Sequence, residues 1–337
     1  MKDIARELGV SVVTVSKALR NHDDISEETR NRVLQRMRDL NYRPNLAARA
    51  LVTGHSYTVG FVVPGLLHSF FAEIAKGLTN VLRKNGYCLV IATSEEDPQL
   101  EREEIERLLA RHVDALIVAS TQSERTSFDR IEEQNVPYVL IDRRINELNS
   151  NFVGVDDQAA GMIATEHLVQ SGYRRIACLY APGLSQAQGR LEGYRKALQK
   201  HGATLRPEYI RTLDEIGDAS DDAAYAAMKE LLSLEEPPDA VYCFNDPSAL
   251  NAMKAVLDAG LRIPEDVAFV GSGNIRHSDF LRVPLTTVDQ NSIAMGERAA
   301  KLALSLIESK TALKPRTVLL ESKLVVRQSS LRIPGSQ

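Results

Sequence analysis

The chain has 337 residues, 41 Lys+Arg against 45 Asp+Glu for a net charge of -4, 44% hydrophobic residues, three Cys and no Trp. That length can bury a large core without disulfide or metal staples; three scattered Cys exclude a disulfide framework; and no apolar run approaches the ~18 residues of a membrane span. The charge is uneven, because residues 1–55 carry 10 basic and 7 acidic side chains, a net +3, and leave −7 on the rest.

Met1 to Gly9 is charged and amphipathic, unlike a signal peptide, and places the protein in the cytoplasm. Lys2 to Leu8 reads as a short helix with Ile4, Ala5 and Leu8 on one face. Gly9 and Val10 turn the chain, and Ser11 is placed to cap a second helix reaching about Arg20, with Val15, Ala18 and Leu19 inward. After a loop at Asn21 to Asp24, Ser26 caps a third helix. Glu27 and Glu28 sit in its first turn, where acidic groups favour the positive end of the dipole. Val33, Leu34, Met37 and Leu40 form its expected buried stripe. Three short helices with a Gly-containing turn after the first have helix-turn-helix grammar, and ten basic groups ahead of an acidic body suit a phosphate-bearing partner.

From Thr58 the texture becomes α/β. Candidate strands are Val59–Val63, Cys88–Ala92, Ala115–Ala119, Tyr138–Ile141, Ile176–Tyr180, Ala240–Phe244 and Val267–Gly271. Helical stretches follow most of them: Phe70–Asn85, Leu100–Arg111, Gln158–Ser171, Gln188–His201 and Ser248–Ala259. Short all-apolar strands between helices imply parallel sheets covered on both faces. So many units predict two Rossmann-like lobes, with a ligand at the carboxyl ends of the strands between them.

Several chemistries are missing. No Gly-x-Gly-x-x-Gly follows a strand, and there is no phosphate-binding Gly-x-x-x-x-Gly-Lys or hydrolase Gly-x-Ser-x-Gly elbow. The seven His never fall at i, i+4 spacing and have no Cys nearby, so no metal site or cofactor is expected. Cys88, Cys178 and Cys243 each lie in an apolar strand and read as buried small hydrophobes. The chain reads as a binder and not an enzyme.

The segments DIARELGVSVVTVSKAL, ISEETRNRVLQRMRDLNYRPNLAARAL and TVGFVVP resemble the LacI/GalR family of bacterial transcription regulators. The likeness continues through HSFFAEIAKGL, DALIVAS, VLIDRR, HLVQSGYRRIACL, GRLEGYRKAL, AVYCFNDPSALNAMKAV, LRIPEDVAFVG, VPLTTVDQ and LVVRQSS, over nearly the whole chain. The resemblance implies a helix-turn-helix headpiece at 1–44, a hinge helix and linker at 45–56, and a two-lobed core at 57–337 like a periplasmic binding protein. The lobes fall at about 57–156 plus 289–318 and about 157–288 plus 319–330. It also implies a repressor that binds a palindromic operator as a homodimer under control of a small molecule, most often a sugar or sugar derivative. The family carries a few residues, including a Thr cap, ahead of the first helix, whereas this sequence starts inside it.

By that likeness the second helix enters the major groove with Val12, Val13 and Lys17 against base edges. Lys17 can donate to guanine, while the valines suit the thymine methyl. Ser11, Thr14, Ser16, Asn21, Thr29, Arg30 and Tyr42 are expected on the DNA backbone, where contacts set register. Asn45 to Val52 matches the hinge helix, with Ala48 allowing close helix approach and Leu51 matching the leucine wedged into the minor groove. So short a helix is marginal alone and is expected to fold on DNA.

The effector cleft implied by the family takes Phe70, Phe71, Asp142, Arg143, Arg190, Asn245, Asp246, Asn274 and Gln290. Where the family has an Asp for sugar hydroxyls, this sequence has Gly273, beside Asn274. A lost acceptor would leave buried hydroxyls unpaired at roughly 1–3 kcal/mol. An anionic ligand would suit a cleft with two arginines and one fewer carboxylate.

The competing readings are weaker. A transport solute-binding protein needs a signal peptide and has no use for a headpiece. A cytoplasmic sugar-binding protein without a regulatory role leaves the N-terminal block unexplained. One headpiece reads too few base pairs for genomic specificity, hence the dimer. The tail from Ser329 has no leucine heptad for a tetramer.

Overall fold

In the computed structural model, residues 2–19, 24–40, 50, 53–67, 69–122, 125–145, 148–213, 220–309, 311 and 313–332 are described. The chain divides into two compact units, Met1–Ser56 and Tyr57–Gln337.

The first unit holds α1 (Lys2–Leu8), α2 (Val12–Leu19) and α3 (Glu27–Asp39). Gly9 makes the turn with φ +66°, where a side chain would be strained. Ser11 Oγ accepts the Thr14 N–H at 2.9 Å, and Ser26 Oγ accepts that of Thr29 at 3.3 Å, so both expected caps form. Ile4, Ala5, Val15, Ala18, Val33 and Met37 make one small core. Leu34 and Leu40, expected in that stripe, are exposed. Helices α1 and α2 pack on α3 through Val33 and Met37, and Leu40 caps α3 beyond its last turn.

The second unit contains two six-stranded sheets. The first runs β2 (Cys88–Thr93), β1 (Thr58–Val63), β3 (Ala115–Val118), β4 (Tyr138–Ile141), β5 (Asn151–Val155) and β11 (Thr317–Leu320), all parallel. The second runs β7 (Ile210–Thr212), β6 (Ile176–Tyr180), β8 (Ala240–Cys243), β9 (Ala268–Ser272), β10 (Thr286–Asp289) and β12 (Lys323–Val325). Its members are parallel except β12, which pairs antiparallel with β10.

The helices are α4 (Ser69–Leu82), α5 (Pro98–Ala110), α6 (Thr126–Glu133), α7 (Asp157–Gln170), α8 (Ser185–Lys200), α9 (Ser220–Leu232), α10 (Asp246–Asp258) and α11 (Ser292–Glu308). Each sheet has an apolar cluster on both faces, which is why its central strands read as unbroken apolar runs. Phe61, Ile74, Leu78 and Met295 serve one face of the first sheet, and Leu116, Phe128 and Leu140 the other.

The chain crosses between sheets after β5, after β10 and after β11. Each sheet starts in the middle, steps to one edge and returns to build the other. In sheets of this topology, ligands bind at the carboxyl ends of the strands flanking that reversal. Cys88, expected buried, is exposed because β2 is the sheet's edge strand; Cys178 and Cys243 are buried as expected.

Candidate functional site

The first site lies on α2. Its N-terminal turn is fixed by the Ser11 cap, and Val12 and Val13 stand 42% and 61% exposed while Val15 and Ala18 face the core. Two exposed valines on a capped helix start are apolar surface that no packing in this unit accounts for. Lys17 forms an ion pair with Asp24. Thr14 shares a hydrogen bond with Ser11 Oγ, and Ser16 is half-buried on the same helix. Thr29 Oγ1 accepts from Ser26 Oγ at 2.9 Å, and Arg30 Nη2 reaches Ile25 O at 3.4 Å. Asn21, Tyr42, Asn45, Ala48 and Leu51 lie outside the described residues.

The second site is the crevice between the two sheets. Phe70 and Phe71 open α4 after β1, with rings edge-on at 5.3 Å, and both are buried in the core of that sheet. Asp142 and Arg143 follow β4 directly, Asp142 with φ +64°. The Arg143 guanidinium grips both Glu96 oxygens at 2.6 and 2.7 Å and lies 6.0 Å from the Phe71 ring. Its Nε has no partner among the described residues, although it is buried. Burial pushes the Asp142 carboxyl above the usual range, against the pull of Arg190 and Arg143.

Arg190 projects from α8. It bonds the Asp157 carboxylate at 2.9 Å, the Phe244 carbonyl at 2.6 Å and Gln290 Oε1 at 3.0 Å, a planar fork used in three directions. Burial raises Asp157 to about 7, and Arg190 offsets only part of that rise. The two arginines that suggested an anionic ligand therefore already face three carboxylates, Glu96, Asp142 and Asp157. The local charge is neutral to negative, and that argument for an anion falls.

The sequence pointed to Asn245 and Asp246 together, and the structure separates them. Asn245 caps α10, accepting the Ser248 N–H at 2.9 Å. Asp246 is wholly buried, accepting from Thr287 Oγ1 at 2.5 Å and the Ile275 N–H at 2.8 Å. Burial lifts it to about 6. Gly271 and Gly273 face that carboxylate: a Cβ on Gly271 would meet it at 2.2 Å, while one on Gly273 (φ +133°) would stand 3.6 Å away. The Asn274 amide is bound on both sides, by Asp289 and by Arg327.

Sequence reasoning missed Glu96, Asp157, Asp289 and Arg327, which hold the expected residues in place. It also missed Glu101, a fully buried carboxylate that accepts from Ser120 Oγ at 2.7 Å, the Thr121 N–H at 2.6 Å and Gln122 Nε2 at 2.8 Å, fixing the loop after β3. Acids at helix starts and in loops look solvent-facing in a sequence, so nothing marked them. A cavity of about 390 Å³ between α4 and α11, bordered by Asn80, Lys84 and Lys301, lies apart from these residues. No group of three or more His, Cys, Asp or Glu suited to a metal ion occurs among the described residues. No helix among them is long and apolar enough to cross a membrane.

The same two parts appear in proteins of known type. Residues 1–45 match the lacI family of bacterial regulatory proteins, and residues 165–330 match the periplasmic binding protein-like domain. The HTH-type transcriptional repressor CytR of Escherichia coli (strain K12) is 32% identical over 338 residues, covering 99% of this chain and 97% of CytR. The chain belongs to the LacI family. The repressor PurR of Actinobacillus pleuropneumoniae serotype 3 (strain JL03) is 30% identical, covering 98% of this chain and 97% of PurR. Among solved structures, the lac repressor dimer bound to operator and the anti-inducer ONPF aligns with a TM-score of 0.83 at 28% identity over 98% of both chains. The complex of the transcriptional regulator CelR with cellobiose aligns at 0.74 with 30% identity over 97% of this chain and 98% of CelR. LacI-family membership makes this chain a transcriptional repressor and not an enzyme.

Proposed function

We propose that this LacI-family chain represses transcription as a cytoplasmic homodimer on a palindromic operator, and that a small molecule in the interlobe crevice changes its affinity for DNA. Residues 1–44 form the reader, 45–56 the hinge and 57–337 the sensor. The observation that carries this reading is the pair of exposed valines, Val12 and Val13, on the capped start of α2. A major-groove helix reads bases from its N-terminal turn. Val12, Val13 and Lys17 take base edges, while Ser11, Thr14, Ser16, Asn21, Thr29, Arg30 and Tyr42 take phosphates. At the hinge, Asn45 and Ala48 support Leu51 as the minor-groove wedge.

The effector is a sugar or sugar derivative, held among Phe70, Phe71, Asp142, Arg143, Arg190, Asn245, Asp246, Asn274 and Gln290. Support comes from the operator-bound dimer and the cellobiose complex of the two aligned regulators. Selection from a random duplex pool tests the reading: the full chain should enrich an inverted repeat, and Leu51→Ala should bind the enriched duplex much more weakly. Failure to enrich any repeat would overturn it.

A further inference from the structure

Asn274 leaves β9 in a left-handed conformation, φ +48°, directly after Gly273. Its backbone N–H donates to Thr287 Oγ1 at 3.2 Å. Its side-chain Nδ2 donates to Asp289 Oδ2 at 3.1 Å, and its Oδ1 accepts from Arg327 Nη2 at 2.9 Å. Asp289 ends β10, where the chain leaves the second sheet for α11, and its other oxygen accepts the Asn291 N–H at 2.7 Å. Between these two residues, Gln290 Oε1 accepts from Arg190 at 3.0 Å. Residues 289–291 are thus bonded both by Asn274, through Asp289, and by Arg190, through Gln290.

The remaining crossings meet the same two side chains. Arg190 also bonds Asp157, the first residue of α7 and the start of the second sheet's lobe after β5. Arg327 follows β12, just past the last return to the second sheet. Its Nη1 donates to Leu285 O at 2.9 Å and its Nε pairs with Asp279, so its grip on Asn274 is fixed. The chemistry at position 274 is exacting. The side chain must donate to a carboxylate and accept from a guanidinium at the same short reach. A neutral Asn amide does both, whereas Asp would set two carboxylates against each other and Leu would meet neither need.

We propose that Asn274 is a positioning residue that sets the angle between the two lobes by clamping residues 289–291 together with Arg190. This rests on the reading of the crevice as an effector site, because a ligand competing for Asn274 or Arg190 would then loosen the crossing itself. The clamp needs neither DNA nor ligand to be tested.

The experiment is pulsed dipolar spectroscopy on the full chain carrying Cys88→Ser, with nitroxides at Glu106→Cys on α5 and Lys229→Cys on α9, both exposed; Cys178 and Cys243 are buried. With labelled chains diluted into excess unlabelled protein, so that a dimer carries one labelled subunit, the parent should give one narrow interlobe distance. Asn274→Asp and Asn274→Leu should shift or broaden it, and Gln290→Leu should do the same by removing the other arm. Exchange of the Asn291 amide should speed up in both Asn274 variants. If one of them fails to fold, the other and Gln290→Leu carry the test. Distances and exchange unchanged from the parent, even with lower melting temperatures, would reduce Asn274 to local packing and overturn the proposal. That result would leave the regulator reading standing.

Discussion

A Cβ on Gly161 would lie 2.1 Å from the carbonyl oxygen of Arg190. Helices α7 and α8 cross here backbone against backbone, and a Cβ on Gly193 would likewise meet the Gln158 carbonyl oxygen at 2.1 Å. The crossing brings α8 near enough for Arg190 to reach Asp157 and Gln290. Gly161→Ala must push α8 outward. Urea unfolding should show a loss of about 1–3 kcal/mol or more, as for overpacked cores. An unchanged midpoint would contradict this packing.

Arg190 itself is expected to be costly to remove and hard to replace. Arg190→Leu leaves the half-buried Asp157 carboxyl without its cation, a loss of at most about 3–5 kcal/mol, the cost of breaking a fully buried pair. Arg190→Lys keeps the charge but cannot serve Asp157, the Phe244 carbonyl and Gln290 together. Adding Asp157→Leu to Arg190→Leu should recover most of the lost stability, since the unpaired charge is then gone. Chemical denaturation of the two singles and the double checks this, and simple additivity would argue against the pairing.

Lys17 is tied to Asp24 in the DNA-free headpiece. On DNA it must exchange that carboxylate for a base edge or phosphate, so the pair competes with binding. Asp24→Asn should tighten DNA binding at low salt, and Lys17→Ala should weaken it and relax discrimination at one base pair by roughly 1–3 kcal/mol. Fluorescence anisotropy on a duplex and its single-base variants reads both effects. Weaker binding by Asp24→Asn would mean that the carboxylate positions Lys17 instead of competing for it.

The buried Asp246 makes a pH prediction with a definite sign. Burial raises its folded-state value from 3.8 to about 6, so the folded protein binds more protons than the unfolded chain between those limits. Its contribution to stability is fully present below pH 3.8 and is lost as pH rises through about 6; the shift corresponds to roughly 3 kcal/mol. Asp157, raised to about 7, extends the same trend upward. In Asp246→Asn the slope of stability against pH between 4 and 6 should flatten. An undiminished slope would show that other groups carry it.

Legibility followed the range of the interaction. The caps at Ser11 and Ser26 are local hydrogen bonds, and both were readable. So were β1, β3, β4, β6 and β8, because strands buried on both faces are apolar throughout. By contrast β5 (NFVGV), β10 (TTVD) and β12 (KLV) are short and mixed in polarity, and their place depends on distant neighbours; β11 exists as the partner of β5. Helices α6, α9 and α11 were missed as well.

In the crevice, Arg143 and Arg190 stood out by type and by resemblance. Their partners Glu96 and Asp157 did not, since burial alone distinguishes such acids from solvated ones. Leu34, Leu40 and Cys88 show the opposite error, apolar in pattern yet left at a surface by a small unit or an edge strand.

The central claim is that the N-terminal unit grips the DNA backbone and reads bases for the whole chain. Its most direct test is the salt dependence of binding by the full-length protein to its selected duplex and to random DNA. Log affinity should fall steeply with log salt on both, with a slope set by the number of phosphates contacted, and the selected duplex should bind at least ~1,000-fold tighter. A flat salt dependence with no preference between the two duplexes would contradict it.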